Sequence, residues 1–171
     1  MKLTVKQLTL CAVLTALALA LSYMESMFPL PLLIPLPGIK LGLANIVTVF
    51  ALCTLGTSQA FLILIARCFL GSLFAGNLNA LLFSIMGGLL ALALEALLLR
   101  IKALSLFGVS MGGAAAHNCG QVLAAMISLG TVTPLAYLPV LLCTGLLTGA
   151  LTGLIISLLL RASEHLPLFP S

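Results

Sequence analysis

The stretch MFPLPLLIPLPGIKLGLANIV, from Met27 to Val47, interrupts a chain that otherwise consists of long apolar runs. Four prolines fall between positions 29 and 37, and proline lacks an amide hydrogen and clashes with the preceding helical turn, so no regular helix crosses this segment. The residues between the prolines are Leu and Ile. Non-helical backbone is tolerated at membrane depth only where protein buries it or where it lines a cavity. We therefore predict a structured cap over a cavity, with Lys40 and Asn45 at the mouth of the helix that follows.

The composition excludes a water-soluble domain. Of the 171 residues, 63% are hydrophobic and 6% are charged, whereas a soluble domain has about 25% charged residues. The chain is predicted to be one integral membrane domain, residues 1–171. Its basic residues lie at helix ends rather than in one patch, which argues against a nucleic-acid partner. The five cysteines lie inside apolar runs without a CxxC pair, which indicates neither a metal site nor a disulfide framework.

The apolar runs predict an all-α fold of six transmembrane helices, because a spanning helix needs about 20 mostly apolar residues. The predicted spans are Leu8–Met24, Leu41–Leu55, Ser58–Ala75, Ala80–Leu99, Val109–Leu129 and Leu138–Leu160. The first follows Lys2 and Lys6 but lacks a convincing cleavage site, so it is interpreted as a retained helix rather than a signal peptide.

Lys and Arg in short loops set the orientation of a membrane protein. If six helices alternate, five of the seven basic residues fall on one side: Lys2, Lys6, Arg100, Lys102 and Arg161. The prediction is a multi-pass protein of the cell membrane with both termini in the cytoplasm. The proline-rich cap between the first and second helices then lies on the outer face, as uptake from outside would require.

Small residues recur every four positions in two of the predicted helices. Gly145, Gly149 and Gly153 do so in the sixth helix, and the same spacing occurs in the first helix at Ala12, Ala16 and Ala20. Such a stripe lies on one helix face and lets another backbone approach closely. Each stripe is open to two interpretations, packing inside the bundle or docking of a separate membrane subunit.

Ionisable residues within the spans are candidates for function, because charges are costly inside a bilayer. Arg67 lies near the middle of the third helix, where it either contacts a ligand or is satisfied by backbone carbonyls, Glu25 or Glu95. Glu95 lies about one turn inside the cytoplasmic end of the fourth helix. It is expected to pair with Arg100 or Lys102, or to contact a partner subunit.

The fifth helix carries three clustered polar residues, His117, Asn118 and Gln121. His117 and Gln121 are four residues apart and therefore share a face. They either line a cavity or hold the bundle together through interhelical hydrogen bonds. The predicted substrate site places these three residues with Lys40, Asn45 and Arg67 beneath the cap.

The sequence contains no constellation typical of an enzyme. It has no Asp, which excludes the Asp-rich motifs that hold a diphosphate through magnesium, and it has no Walker A, GxSxG or HExxH motif. We expect no catalytic activity and no cofactor, and energy for transport would have to come from another subunit.

Three runs resemble the Gx transporter family: PGIKLGLANIVTVFAL (37–52), RCFLGSLFAG (67–76) and HNCGQ (117–121). Members of that family are often labelled heptaprenyl diphosphate synthase component I. The family in turn resembles the substrate-binding S components of energy-coupling factor transporters. That resemblance implies six helices, cytoplasmic termini, an outer lid after the first helix, and docking of a coupling subunit on the stripe Ala12, Ala16 and Ala20.

Two functions follow as expectations. The first is a substrate-binding component for uptake of a small molecule, working with a separate coupling subunit and ATPases. Lys40, Arg67 and His117 lie near the predicted cavity, which favours an anionic substrate. The second is a membrane redox subunit, or one that handles an isoprenoid or quinone, within a larger complex. A scaffold subunit is a third, less specific interpretation.

Overall fold

The computed structural model describes residues 4–27 and 42–163, and every regular element within them is helical. We number the α-helices α1 to α6 in chain order. They are α1 (Val5–Ser26), α2 (Asn45–Thr54), α3 (Thr57–Ala75), α4 (Leu78–Leu98), α5 (Leu106–Leu129) and α6 (Leu138–Ser163). A 3-10 helix, Thr133–Tyr137, leads into α6. The all-helical fold is thus confirmed, while the proline-rich cap and Lys40 lie outside the described residues.

Short polar residues and glycines set the helix ends. Thr4 caps α1 through a capping box, in which its hydroxyl accepts from the Gln7 amide and its own amide donates to the Gln7 side chain. Asn77 and Ser105 likewise cap the first turns of α4 and α5. At the other ends, Gly76 and Gly130 adopt positive φ angles that favour glycine and stop α3 and α5.

Four stretches are long and apolar enough to cross a membrane: Val5–Glu25, Thr57–Ala75, Leu78–Leu98 and Thr133–Ser163. The helix α2 has ten residues, a length of about 15 Å, or half of a hydrocarbon core of about 30 Å. The helix α5 is long enough, but His117, Asn118 and Gln121 make it less apolar than the four. The prediction of six spans therefore stays a prediction.

The short helix α2 lies at the centre of the bundle. All its residues from Asn45 to Leu52 are buried, and it contacts α1, α3, α4 and α6. Val47, Phe50 and Ala51 belong to the main apolar core with residues of α1 and α3. On the opposite side, Ile46 and Val49 pack against Ile156 of α6. The polar group that begins α2 is consequently held deep inside the protein.

Helices α4, α5 and α6 pack side by side at very short range because glycine lines their contacts. Gly120 of α5 faces the backbone of Met86 and Gly87 on α4. Gly145, Gly149 and Gly153 of α6 all face α5, and a methyl group added at Gly153 would lie 2.9 Å from Phe107 Cα. The glycine stripe of the sixth helix thus packs inside the bundle and is not available for docking another subunit.

The close approach of α5 and α6 predicts a specific cost for one methyl group. In Gly149→Ala the new Cβ would lie 2.7 Å from Met111 Cα and 2.9 Å from Ser110 O. Backbone atoms move aside less readily than the ends of side chains. We therefore expect the free energy of unfolding in detergent to fall by about 1–3 kcal/mol. Thermal or denaturant unfolding of the purified protein measures this.

The matched control is Gly71→Ala in α3, where the nearest atom would be Leu19 Cδ2 at 3.6 Å. This change should leave stability equal or raise it by up to about 1 kcal/mol, because alanine loses less backbone entropy in a helix. Equal stability of the two variants would contradict the close packing of α5 on α6.

Candidate functional site

The carboxylate of Glu95 lies where three helices meet. Glu95 is in α4, three residues before its end, and its side chain is fully buried. Across from it, Gly113 of α5 has no side chain, and a Cβ there would overlap the Glu95 carboxylate. From α2, Asn45 Nδ2 donates to Glu95 Oε1 at 2.5 Å. One carboxylate therefore joins α2, α4 and α5.

Several polar atoms around this junction have no hydrogen-bond partner among the described residues. They are Glu95 Oε2, Asn45 Oδ1 and Thr48 Oγ1, all buried. Thr48 lies three residues after Asn45 and so shares a face of α2 with it. Buried polar groups in proteins are nearly always hydrogen-bonded, so this set of acceptors points to a further group that binds between the helices.

Arg67 supplies the complementary donors from α3. Its side chain is only 8% exposed, and its Nη2 atom lies 3.4 Å from the position that a Cβ on Gly88 of α4 would take. Gly88 lies seven residues before Glu95 on the same buried face of α4. Within the described part of the chain, however, the buried Nε and Nη2 atoms of Arg67 have no hydrogen-bond partner.

His117 lies on the neighbouring side of the same interior. Its ring packs against Gly87 of α4, where an added Cβ would lie 2.8 Å from His117 Cε1, and against Gly42, just before α2, at 3.5 Å from Cδ2. The Gly42 amide also donates to Glu25 Oε1 at 2.5 Å. Gly42, with φ of +86°, thus lies between the end of α1 and the middle of α5, three residues before Asn45.

The other two polar residues of α5 have different surroundings. Gln121, one turn after His117, is fully buried. Asn118 faces α6, where its Nδ2 atom donates to the Leu141 carbonyl at 2.5 Å and packs against Gly145. Asn118 thus joins α5 to α6, on a face of α5 that turns away from Glu95.

Of the predicted substrate-site residues, the structure brings Asn45 and Arg67 to the interior around Glu95. It places His117 beside the turn that precedes Asn45, and Gln121 one helical turn farther along α5. Asn118 lies against α6 instead, and Lys40 falls outside the described residues. On α1, the stripe residues Ala12, Ala16 and Ala20 are all exposed. The buried face of this helix consists of other residues, among them Cys11, Leu14 and Ala18.

Glu95 is the residue that sequence reasoning undervalued. It bonds to Asn45, whereas Arg100 and Lys102, its expected partners, are exposed. The signal was its spacing from Gly88 and Ala91, which are seven and four residues earlier and therefore share its face of α4. Both are buried, so the small-residue face of α4 marks the direction in which the carboxylate points.

The bond between Asn45 and Glu95 predicts a measurable loss of stability. Asn45→Ala leaves the buried Glu95 Oε1 atom without its donor, and a buried acceptor left unsatisfied costs about 1–3 kcal/mol. We expect the free energy of unfolding of Asn45→Ala to fall by that amount. In a double-mutant cycle, the losses from Asn45→Ala and Glu95→Gln should not add up. The control is Asn79→Ala, whose exposed side chain accepts from Ser128 at 3.3 Å. Additive losses would show that the two side chains do not interact.

Comparison with known proteins gives one match. No curated protein and no solved structure matches the chain. The family model described as Heptaprenyl diphosphate synthase component I matches residues 14–159, which include all six helices at least in part and every predicted substrate-site residue. The chain therefore belongs to the heptaprenyl diphosphate synthase component I family.

Proposed function

We propose that the chain is the substrate-binding membrane component of an uptake system for a small molecule that carries a carboxylate or phosphate. The observation that supports this is the unpartnered edge of Arg67. Its Nε and Nη2 atoms are buried without an acceptor among the described residues. These atoms lie on one edge of the planar guanidinium, the geometry that binds a carboxylate or phosphate through two parallel hydrogen bonds.

The energetic argument favours a ligand at this edge. Placing an arginine at mid-membrane costs at least about 2.5 kcal/mol on insertion scales, and each buried unsatisfied group adds about 1–3 kcal/mol. Glu95 does not satisfy these nitrogens, because its Oε1 atom accepts from Asn45 and its Oε2 atom has no partner among the described residues. An oxyanion on Arg67 would satisfy both free nitrogens at once. The proposed site consists of Arg67 and Asn45, with Lys40, His117 and Gln121 toward the cap.

Transport in this proposal depends on partner proteins. The chain has no nucleotide-binding motif, so ATPases and a membrane coupling subunit would supply the energy. The exposed stripe Ala12, Ala16 and Ala20 offers a smooth face on α1 for such a subunit, the role that a resemblance of the family to S components would imply. Both termini would lie in the cytoplasm, and the proline-rich cap would cover the site from outside.

A second function is favoured by a different feature, an apolar groove between α3 and α4. The groove has a volume of about 830 Å³ and is lined by Phe61, Leu62, Leu89, Leu90 and Leu92, with Thr57, Ser58 and Gln59 also on its walls. The family description names a synthase of an isoprenoid diphosphate. A non-catalytic component that holds the isoprenoid chain for a partner enzyme would need such a surface.

Replacing Arg67 by lysine tests the first function. Lysine keeps the positive charge but cannot form two parallel hydrogen bonds. We expect the wild-type protein, purified from cells in mild detergent, to carry a compound with a carboxylate or phosphate. Arg67→Lys should carry at least about tenfold less, a loss of about 1.4 kcal/mol or more in binding. Mass spectrometry of small molecules released by denaturation measures both amounts.

The control is Arg100→Lys at an exposed arginine, which should retain the wild-type amount. Thermal unfolding checks that Arg67→Lys remains folded. Equal retention by Arg67→Lys would contradict the site. An isoprenoid carried by wild type and Arg67→Lys alike would favour the second function instead.

The docking surface is tested on α1. Ala16→Leu adds a bulky side chain to an exposed position, so the isolated protein should unfold at the wild-type temperature while co-purification of a coupling subunit is lost. Ala93→Leu, an exposed position on α4, should retain that subunit. Loss of folding in Ala16→Leu, or unchanged co-purification, would contradict docking at this stripe.

A further inference from the structure

Donors and acceptors without partners among the described residues come from different helices around α2. On the α3 side, Arg67 offers Nε and Nη2; on the side of α2 and α4, the unpartnered atoms are Glu95 Oε2, Asn45 Oδ1 and Thr48 Oγ1. Within the described residues, neither set satisfies the other. The two sets border one buried region, because Asn45 bonds to Glu95 and Arg67 lies against Gly88, which shares a face of α4 with Glu95.

The helix geometry limits how far apart these groups lie. Arg67 Nη2 is next to Gly88, and Glu95 follows seven residues later on α4, which is about 10 Å along the axis at 1.5 Å per residue. Side chains in an α-helix lean toward its N-terminus, so the Glu95 carboxylate reaches back toward Arg67.

The charges of the region restrict what fits there. Arg67 carries a positive charge with two free N–H groups, which calls for an oxyanion, while the three unpartnered oxygens around Glu95 call for N–H or O–H donors. A bare anion would leave those three oxygens without donors, and each buried unsatisfied group costs about 1–3 kcal/mol. A neutral ligand without separated charges would leave one of the two sets unsatisfied. A molecule with an anionic end and a cationic end matches both sets.

We propose that the site takes a zwitterion, a compound with a protonated amine and a carboxylate or phosphate. Its oxyanion accepts two hydrogen bonds from Arg67. An ammonium group has three N–H donors, and three acceptors are available to it in Glu95 Oε2, Asn45 Oδ1 and Thr48 Oγ1. This assignment rests on the proposed uptake function and adds the amine end of the substrate.

The experiment identifies the small molecules that the full-length protein carries from the cell, by mass spectrometry after denaturation, in wild type and three variants. Glu95→Gln replaces an acceptor oxygen that faces the amine by an N–H donor, and the amount of bound compound should fall at least about tenfold. Thr48→Val removes one acceptor with little change of shape, and the amount of bound compound should fall several-fold. Thr152→Val is the control, because this buried hydroxyl bonds to Gly149 O of its own helix, and retention should not change.

The outcomes distinguish failure of the zwitterion assignment from failure of the uptake function on which it rests. A retained compound with both an amine and an oxyanion, lost in Glu95→Gln and reduced in Thr48→Val, supports the zwitterion. An oxyanion without an amine, or retention unchanged in both variants, overturns the zwitterion and leaves the uptake function standing. A wild-type protein that carries only lipid and detergent overturns both. If Glu95→Gln fails to fold, the amounts of bound compound in Thr48→Val and Thr152→Val are compared. Equal amounts in these two variants overturn the zwitterion.

Discussion

A carboxylate buried in an apolar bundle must have a partner, and much of this structure follows from how Glu95 obtains one. Its side chain is fully buried, and its Oε1 atom accepts from Asn45. Because Asn45 begins α2, that short helix has to enter the bundle at the depth of Glu95. Because Gly113 lies opposite, α5 has to present a glycine at the same level. One polar contact thereby fixes the relative position of three helices.

The rest of the bundle achieves close packing with little side-chain volume. Glycines on α4, α5 and α6 bring the backbones of these helices into contact, which suits a membrane, where van der Waals packing rather than water exclusion holds helices together. Asn118 adds a hydrogen bond from α5 to α6. The region around α2 differs from these glycine-lined contacts, because it concentrates polar atoms without partners among the described residues. A glycine-packed frame with several unpartnered polar atoms around α2 is the physical basis for proposing a binding site there.

Sequence reasoning predicted the helical fold and the polar residues of the interior, because both leave local signals. Apolar runs of about 20 residues define helices, and Arg67 and His117 are conspicuous within them. The partner of Glu95 could not be predicted in this way, because Asn45 is fifty positions away in sequence and no local pattern connects them. Asn118 shows a related limit: it is adjacent to His117 in sequence but faces another helix, since successive residues lie about 100° apart around the axis.

The central claim is that the buried edge of Arg67 and the acceptors around Glu95 hold a small molecule between them. A density map of the purified full-length protein, at a resolution that shows side chains, tests it most directly. The account predicts non-protein density that contacts Arg67 Nε and Nη2 at one end and Glu95 Oε2 at the other. A guanidinium that bonds directly to the Glu95 carboxylate, or a gap filled by water alone, would contradict it.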